Sequence, residues 1–379
     1  MDIARLRREE FPITRRGVYL DHATFGPPPA RYVRAVSGFL ERMSTEGLDD
    51  LFALSDEGVD SVRRKAALLL GCEPAHVTFV GSTSHGIGMV AAGLEWSPGD
   101  EVILYELDHP AGVFPWTNLA GRGVKTRFIA DRGRFGFEAA DVLELVGPRT
   151  RAVCVSLVNF GHGGRAPVED IAALCRERGI WLVVDAVQAL GALQVDASAL
   201  GADIVVAHGY KFLLSGFGIG VCYCSDRALG ELKVRQVGWK SVENPFDLER
   251  MLAFELTFPA SAKRFEPSFQ PLAQVFGMGA TLDLLNAAGA AVVETRVMLL
   301  SQRLVSGLLE KGYAVAGSPD GHARSAIVSV ILRDDGERAR VERGLLSAEA
   351  RCSVRESRMR LSPHFYNTED EIDRMLSCL

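Results

Sequence analysis

The chain has 379 residues, 47% of them hydrophobic, 24% charged and 8% aromatic, with 42 basic against 48 acidic side chains and a net charge of −6. That is an ordinary globular composition, long enough for two or three domains. The mild acidity and scattered basic residues exclude an electrostatic role on nucleic acid or a membrane surface, and no apolar run reaches the ~18 residues that span a bilayer.

The N-terminus, MDIARLRREEFPITRRG, mixes charges of both signs and lacks the apolar core of a signal peptide, so the cytoplasm is the expected location. Seven cysteines, mostly in apolar runs, read as buried reduced thiols in that setting. From about 77 to 225 one rhythm repeats: a short β-branched apolar run, a glycine or polar turn, then a helical stretch. The expected strands are VTFV (77–80), EVILY (101–105), TRFI (126–129), RAVCVSLV (151–158), WLVVDA (181–186), DIVVAH (203–208) and GVCYC (220–224). Helices such as EAADVLELV and PVEDIAALCRERG separate several of them. The second has Pro at its start, acids in its first turn and Gly after its last arginine. Alternating strands and helices predict an α/β fold with a mostly parallel sheet covered on both faces. GVCYC follows its neighbour without a helix and is expected to run antiparallel.

After 225 the rhythm changes. Residues 235–270 are rich in proline and aromatics with little periodicity, the pattern of a surface excursion or an interface. Two amphipathic helices then follow, QPLAQVFGMGATLDLLNAAG and AAVVETRVMLLSQRLVSGLLEKG. A smaller α+β unit ends the chain: a strand at 326–332, a helix around 337–350, the strand MRLSP (359–363) and a final helix after NTEDE. The expected division is a large domain over 16–270 and a small one over 271–379 together with 1–15.

Only seven of the 42 basic residues are lysines. One of them, Lys211, follows the apolar strand ending at His208 and precedes a glycine-rich loop. Desolvation at the ligand edge of the sheet would lower its pKa and make its amine nucleophilic. Asp185 ends another apolar strand, where a carboxylate is costly without a cationic or hydrogen-bonding partner, and Gln188 follows three residues later. A lysine and a carboxylate at neighbouring strand ends suit pyridoxal phosphate, the lysine forming a Schiff base and the carboxylate keeping the pyridine nitrogen protonated. Ser82, Thr83 and Ser84 open a helix after VTFV and form a candidate phosphate cup. His109 and Trp116 are the candidates to stack on a cofactor ring. Arg360 and Arg355 are candidates for a substrate carboxylate, which suits the planar guanidinium.

Other motifs fail. Gly216-Phe217-Gly218-Ile219-Gly220 precedes a strand instead of joining strand to helix, so it is no dinucleotide fingerprint; a nicotinamide oxidoreductase needs one after the first strand, and GSTSHG there is not one. There is no GxSxG elbow, HExxH or Walker lysine. Cys222 and Cys224 lack a second pair at metal-ligand spacing, and His162, His208 and His364 are far apart, so no metal site is expected.

Taken together, YLDHATFGPPP (19–29), GSTSHGI, LDHPAGVFPW, GIWLVVDAVQALG, AHGYK, KRFEPS and RLSPHFYNTEDEID resemble the class V aminotransferase family of fold-type I pyridoxal-phosphate enzymes. That family includes cysteine desulfurases, selenocysteine lyases, kynureninases and isopenicillin N epimerases. The resemblance covers nearly the whole chain. It implies catalytic roles for Lys211, Asp185 and His109, with Lys211 the Schiff-base residue, Asp185 the pyridinium partner and His109 on the ring. It implies cofactor contacts from Ser82, Thr83, Ser84, Gln188 and Asn159, and from His208 and Tyr210, which stand where the family often has Ser-x-His. Arg360 would hold the substrate carboxylate, with Arg355 and Asn159 nearby. Ser268 would reach the phosphate of a neighbouring subunit, which implies a homodimer with its active site at the interface.

The implied activity is Cα-carbanion chemistry on an amino acid, of aminotransferase or C–S lyase type. The alternatives are an epimerase-like reaction, a desulfurase using Cys352, or a degenerate binding protein on the same fold. The compact segment ARCSVRESRMRLSP carries no separate loop cysteine, and Cys352 falls where a strand is expected. This favours the epimerase-like and C–S-lyase-like branch.

Overall fold

The structure, a computed structural model, describes residues 2–317, 321, 324–355 and 357–379. Strands and helices alternate as the apolar runs predict. Among the described residues the main sheet has seven strands: β2 (Val77–Val80), β3 (Glu101–Tyr105), β4 (Lys125–Ile129), β5 (Thr150–Ser156), β6 (Trp181–Asp185), β7 (Ile204–His208) and β8 (Gly220–Cys224). β1 (Val18–Tyr19) lies outside it.

The order is β2-β8-β7-β6-β5-β3-β4. The pairs β4–β3, β3–β5, β5–β6 and β6–β7 are parallel, while β8 runs antiparallel to both β7 and β2. The missing crossover helix before β8 is the reason, since a parallel return needs a long connection. β6 and β8 are buried along their whole length, as expected of strands covered on both faces. Because β5, β6 and β7 are parallel neighbours, Ser156, Asp185 and His208 end at one edge of the sheet, the edge where open α/β folds bind ligands.

The helices end where their sequences dictate. Val168–Arg178 stops at Gly179 with φ 66°, a left-handed conformation that glycine adopts without strain. Glu369–Ser377 starts on a capping box in which Thr368 accepts from the Glu371 N–H and Glu371 returns the bond. The helix expected around 337–350 runs from Asp335 to Ser347 and gives way at Glu349, whose φ is 50°.

Two helices, Leu272–Ala288 and Ala290–Glu310, follow the irregular stretch at 80° to each other. Leu272, Val275, Met278 and Leu282 pack into the larger hydrophobic core, as does Phe11, so the chain leaves that core later than residue 270. The crossing happens inside Ala290–Glu310, where Val293 and Val297 belong to the large core and Leu300, Leu304 and Leu308 to the small one.

The small unit is built on β9 (Ala314–Val315), β10 (Val328–Ile331), β12 (Ser353–Arg355) and β13 (Arg358–Leu361), in the order β12-β13-β10-β9. β1 joins it by pairing with β11 (Ala350–Arg351), and Val18 and Leu20 enter its core. The segment after β1 then runs back to the large unit. His22 Nδ1 is 2.8 Å from the Ser362 carbonyl and so donates to it, which leaves Nε2 to accept from the Tyr366 hydroxyl at 2.7 Å. All seven cysteines are free thiols. Among the described residues no single helix is long and apolar enough to cross a membrane.

Candidate active site

Lys211 follows β7 in a tight loop closed by Gly209 N–H to Ile219 O, Ser215 N–H to Gly209 O and Leu214 N–H to Lys211 O, each 2.8–2.9 Å. The side chain is 7% exposed, and among the described residues its Nζ makes no hydrogen bond. It lies 5.5 Å from the centre of the Tyr210 ring. Burial lowers its pKa to about 8; the Asp185 charge opposes that shift and the Arg360 charge adds to it. An unpaired, desolvated amine at the sheet edge is poised to act as a nucleophile near neutral pH.

Asp185 is 3% exposed at the end of β6, and its Oδ1 accepts only the Val187 N–H, at 2.9 Å. Burial raises it to about 6 against the pull of the Lys211 charge. Each residue of the pair is therefore governed more by burial than by the other's charge. Such a carboxylate awaits a closer cationic partner, which the N–H of a pyridinium ring would supply.

Two further buried atoms are left without partners. Gln188 donates from Nε2 to Ala23 O at 3.1 Å, but its Oε1 is unpaired. Thr83, in the first turn of the helix Thr83–Gly93, is 5% exposed with its Oγ1 unpaired. Buried polar groups are normally satisfied, so these two mark where a polar ligand belongs. Ser82 is spoken for, its Oγ capping the helix by accepting the His85 N–H at 3.1 Å. Ser84 is exposed. Together these groups fit the phosphate, ring and aldehyde of the pyridoxal phosphate that the resemblance implies.

Burial separates the two stacking candidates. Trp116 is fully enclosed in a hydrophobic cluster with Leu104 and Leu119, edge-on to Trp96 at 6.2 Å, and has no face to offer. His109 caps the helix Pro110–Thr117 through Nδ1, which accepts the Ala111 N–H. Its ring meets Phe160 edge-to-face at 5.0 Å. Burial together with the Lys211 and Arg360 charges pushes its pKa down, so the imidazole is neutral.

Arg360, on β13, enters the site from the small unit. Its Nη1 donates to Phe160 O at 2.7 Å, its Nη2 to Thr24 Oγ1 at 2.5 Å, and Asp21 Oδ1 lies 3.7 Å away. Its Nε has no partner, a donor free for an incoming carboxylate. Arg355 is exposed on β12 and bears on the site through the charge it places near Asp21 and Arg360.

Two expected contacts have other work, and a third, Ser268, meets none of these groups. Asn159 spends every amide valence locally: Nδ2 donates to Leu107 O and Asp108 Oδ1, and Oδ1 accepts the Gly161 and His162 N–H groups. It shapes the loop after β5 and has no free atom for a ligand. His208 accepts the Gly218 N–H at 3.2 Å and packs edge-on to Tyr210, bracing the lysine loop. Ser268 is exposed; two residues before it, Glu266 is buried against Arg63 at 2.7 Å, and among the described residues Ser268 bonds none of the groups above.

Cys352 lies partly buried between β11 and β12, where burial and the Asp21 charge push its thiol up to about 12. A thiol so protonated is a poor nucleophile.

Sequence reasoning missed Asp108, Asp21 and Thr24. Asp108 accepts the Ser156 N–H at 3.0 Å and the Asn159 amide at 3.3 Å. Its signal was its place beside His109, after an apolar strand. Thr24 and Asp21 sit in YLDHATFGPPP, but their meeting with Arg360 spans more than 330 positions and has no local signature. A cavity of about 660 Å3, lined by Asp56, Asp60, Lys240 and Lys263 among others, does not include Lys211.

Comparison with known proteins identifies the family and the fold. The family model described as aminotransferase class-V matches residues 18–375. A probable cysteine desulfurase of Methanothermobacter thermautotrophicus is 30% identical over 78% of this chain and 74% of its own. The apo structure of a cysteine desulfurase from Thermococcus onnurineus NA1 superposes with a TM-score of 0.85 at 20% identity, covering 99% of this chain and 96% of that one. The cystine C–S lyase C-DES, in complex with its reaction product cysteine persulfide, gives 0.86 at 24% identity, covering 97% and 98%. These two likenesses establish the fold.

Proposed function

The chain belongs to the class V aminotransferase family, and on that premise we propose that it is a pyridoxal-phosphate enzyme of the cysteine desulfurase and C–S lyase type, binding an amino acid between Lys211 and Arg360. The observation that carries this reading is the buried, unpaired amine of Lys211 at the same sheet edge as Asp185. Pyridoxal phosphate, when bound, supplies an electrophilic aldehyde and a ring that withdraws electrons from the substrate's α-carbon.

The chain's own groups do the rest. Thr83 Oγ1 and the backbone N–H groups that open Thr83–Gly93 receive a phosphate. The Gln188 amide, anchored on Ala23 O, presents its other end to the ring. The neutral His109 imidazole would offer its face to the ring, and the buried Asp185 carboxylate would keep the ring nitrogen protonated. Arg360 grips the α-carboxylate, which fixes the substrate's orientation. Lys211, its pKa lowered to about 8, takes the proton from the α-carbon once its amine is free.

The state of Cys352 separates the two sulfur chemistries. A desulfurase passes sulfur to a protein thiolate and leaves alanine. With the Cys352 thiol pushed up to about 12, we favour β-elimination, in which the sulfur departs with its own substituent and the carbon skeleton becomes pyruvate and ammonia. The test is to supply the holoenzyme with cystine and with cysteine and to quantify pyruvate, ammonia, sulfide and alanine. Pyruvate matching ammonia supports the reading. Alanine as the main product, lost on Cys352→Ser, refutes it.

The homodimer belongs to the same proposal. Val33, Leu40 and Met43 are exposed apolar side chains on the helix Ala30–Thr45, which supports this reading, and Ser268 is exposed as a residue serving a second subunit would be. Sedimentation of the holoenzyme as a dimer, with weaker cofactor binding in Ser268→Ala, is the expected result.

A further inference from the structure

The function above leaves unused the segment Gly216-Phe217-Gly218, the motif that failed as a nucleotide fingerprint. Its two glycines have φ of 70° and 82°. At Gly216 even a Cβ would come within 2.4 Å of the Tyr32 hydroxyl oxygen. Glycine on both sides lets the chain turn sharply and present Phe217, which is 63% exposed.

Phe217 is not isolated. It stacks on Tyr210 at 4.8 Å with an interplanar angle of 22°, and on Phe25 at 5.4 Å and 19°. Tyr210 adjoins Lys211 in sequence and lies 5.5 Å from its Nζ. Phe25 adjoins Thr24, the contact of Arg360. Phe25 is itself fixed, its carbonyl accepting the Tyr19 hydroxyl at 2.7 Å. The three nearly parallel rings thus form a shelf that begins beside the reacting amine and ends at the neighbour of Thr24, which Arg360 holds.

We propose that this Tyr210–Phe217–Phe25 shelf selects the substrate's side chain, and that the enzyme's substrates are cysteine thioethers carrying an aryl or arylmethyl group on sulfur. The inference rests on the C–S lyase reading above. Sulfur and aromatic leaving groups both find favourable contacts on ring faces and edges, whereas cysteine itself leaves the shelf uncovered.

The reaction balances without a further reagent. Lys211 removes the α-proton, the electron pair forms the Cα=Cβ bond, and the Cβ–S bond breaks. The thiolate departs and takes up a proton, and the remaining enamine adds water to give pyruvate and ammonium. One thioether and one water yield one thiol, one pyruvate and one ammonium.

The test compares S-benzyl-L-cysteine with S-methyl-L-cysteine on the holoenzyme and on Phe217→Ala and Phe217→Tyr, following thiol and pyruvate. The expected result is a higher kcat/KM for the benzyl substrate, with the benzyl-to-methyl ratio falling about fivefold to tenfold in Phe217→Ala through KM and restored in Phe217→Tyr. A second arm measures binding alone, using the two carbon isosteres with CH2 in place of sulfur, titrated by the absorbance change of the bound cofactor. If neither thioether is cleaved but the benzyl isostere binds tighter and loses that advantage in Phe217→Ala, the shelf stands and the lyase reading fails. Equal affinity for the two isosteres, or a Phe217→Ala variant that changes sedimentation and not selectivity, overturns the shelf.

Discussion

Asp108 and Asp185 flank a single residue, Ser156. The Ser156 N–H donates to Asp108 Oδ2 at 3.0 Å, while Ser156 is the direct neighbour of Asp185 across the β5–β6 ladder. Burial, with a contribution from the Asp185 charge, raises Asp108 to about 7; the bonds from Ser156 and Asn159 oppose it. Folded protein without cofactor therefore keeps this proton up to about pH 7, whereas the unfolded chain releases it near ~4. Stability contributed by the protonated form is lost as pH rises between those values. Asp108→Asn removes that slope, so the variant gains on the parent by about 1–3 kcal/mol between pH 4.5 and 8 in denaturant melts of the apo protein. Parallel curves at the two pH values would contradict the assignment.

The histidines act in the opposite sense. His162, His208 and His364 are each held neutral with a pKa of about 4, burial being the main cause in every case. The unfolded chain takes up protons at the ordinary imidazole value near ~6.5 and the folded chain does not, so stability falls as pH drops from about 6.5 to 4. His364 is fully buried, with its Nε2 at 2.9 Å from Phe212 O. His364→Gln is expected to lose stability at pH 7.5 but to lessen the further decline to pH 5 by about 1–2 kcal/mol.

Gly26 lies against the lysine loop. Its N–H donates to Tyr210 O at 2.8 Å, and a Cβ there would stand 2.0 Å from Lys211 O. Both groups are backbone, so neither can swing aside. Gly26→Ala is expected to cost about 3 kcal/mol or more and to weaken cofactor binding, seen as a lower Tm and a higher cofactor Kd. An alanine variant with unchanged Tm would show that the segment sits farther from the loop.

Arg360 is positioned by Phe160 O and Thr24 Oγ1 from two distant parts of the chain. Arg360→Lys keeps a charge and loses the planar fork, so kcat/KM should fall about 100-fold, mostly through KM. A fall confined to kcat would instead place Arg360 at the reacting carbon.

Much of this was legible in residue order. WLVVD and IVVAH each run apolar until their last residue, so Asp185 and the loop of Lys211 announce themselves as polar groups at strand ends, and β8 betrays its antiparallel course by lacking a helix before it. What local pattern could not convey is which partner a polar atom finds. Trp116 and His109 both follow the same strand, yet only packing against Trp96 shows that the indole is enclosed. Asn159 looks like a free amide until the loop's N–H groups claim it. The helix Leu272–Ala288 reads as amphipathic in sequence, but its buried residues, Leu272, Val275, Met278, Thr281, Leu282 and Leu284 among them, lie around most of its circumference, because neighbouring elements cover it on several sides.

The central claim is that Lys211 is the residue to which pyridoxal phosphate attaches. Borohydride reduction of the holoenzyme followed by peptide mass mapping tests it directly. The expected result is a reduced cofactor adduct on the peptide containing Lys211, absent from Lys211→Ala together with the visible absorbance band. An adduct on any of the six other lysines, or a band that survives in Lys211→Ala, would contradict it.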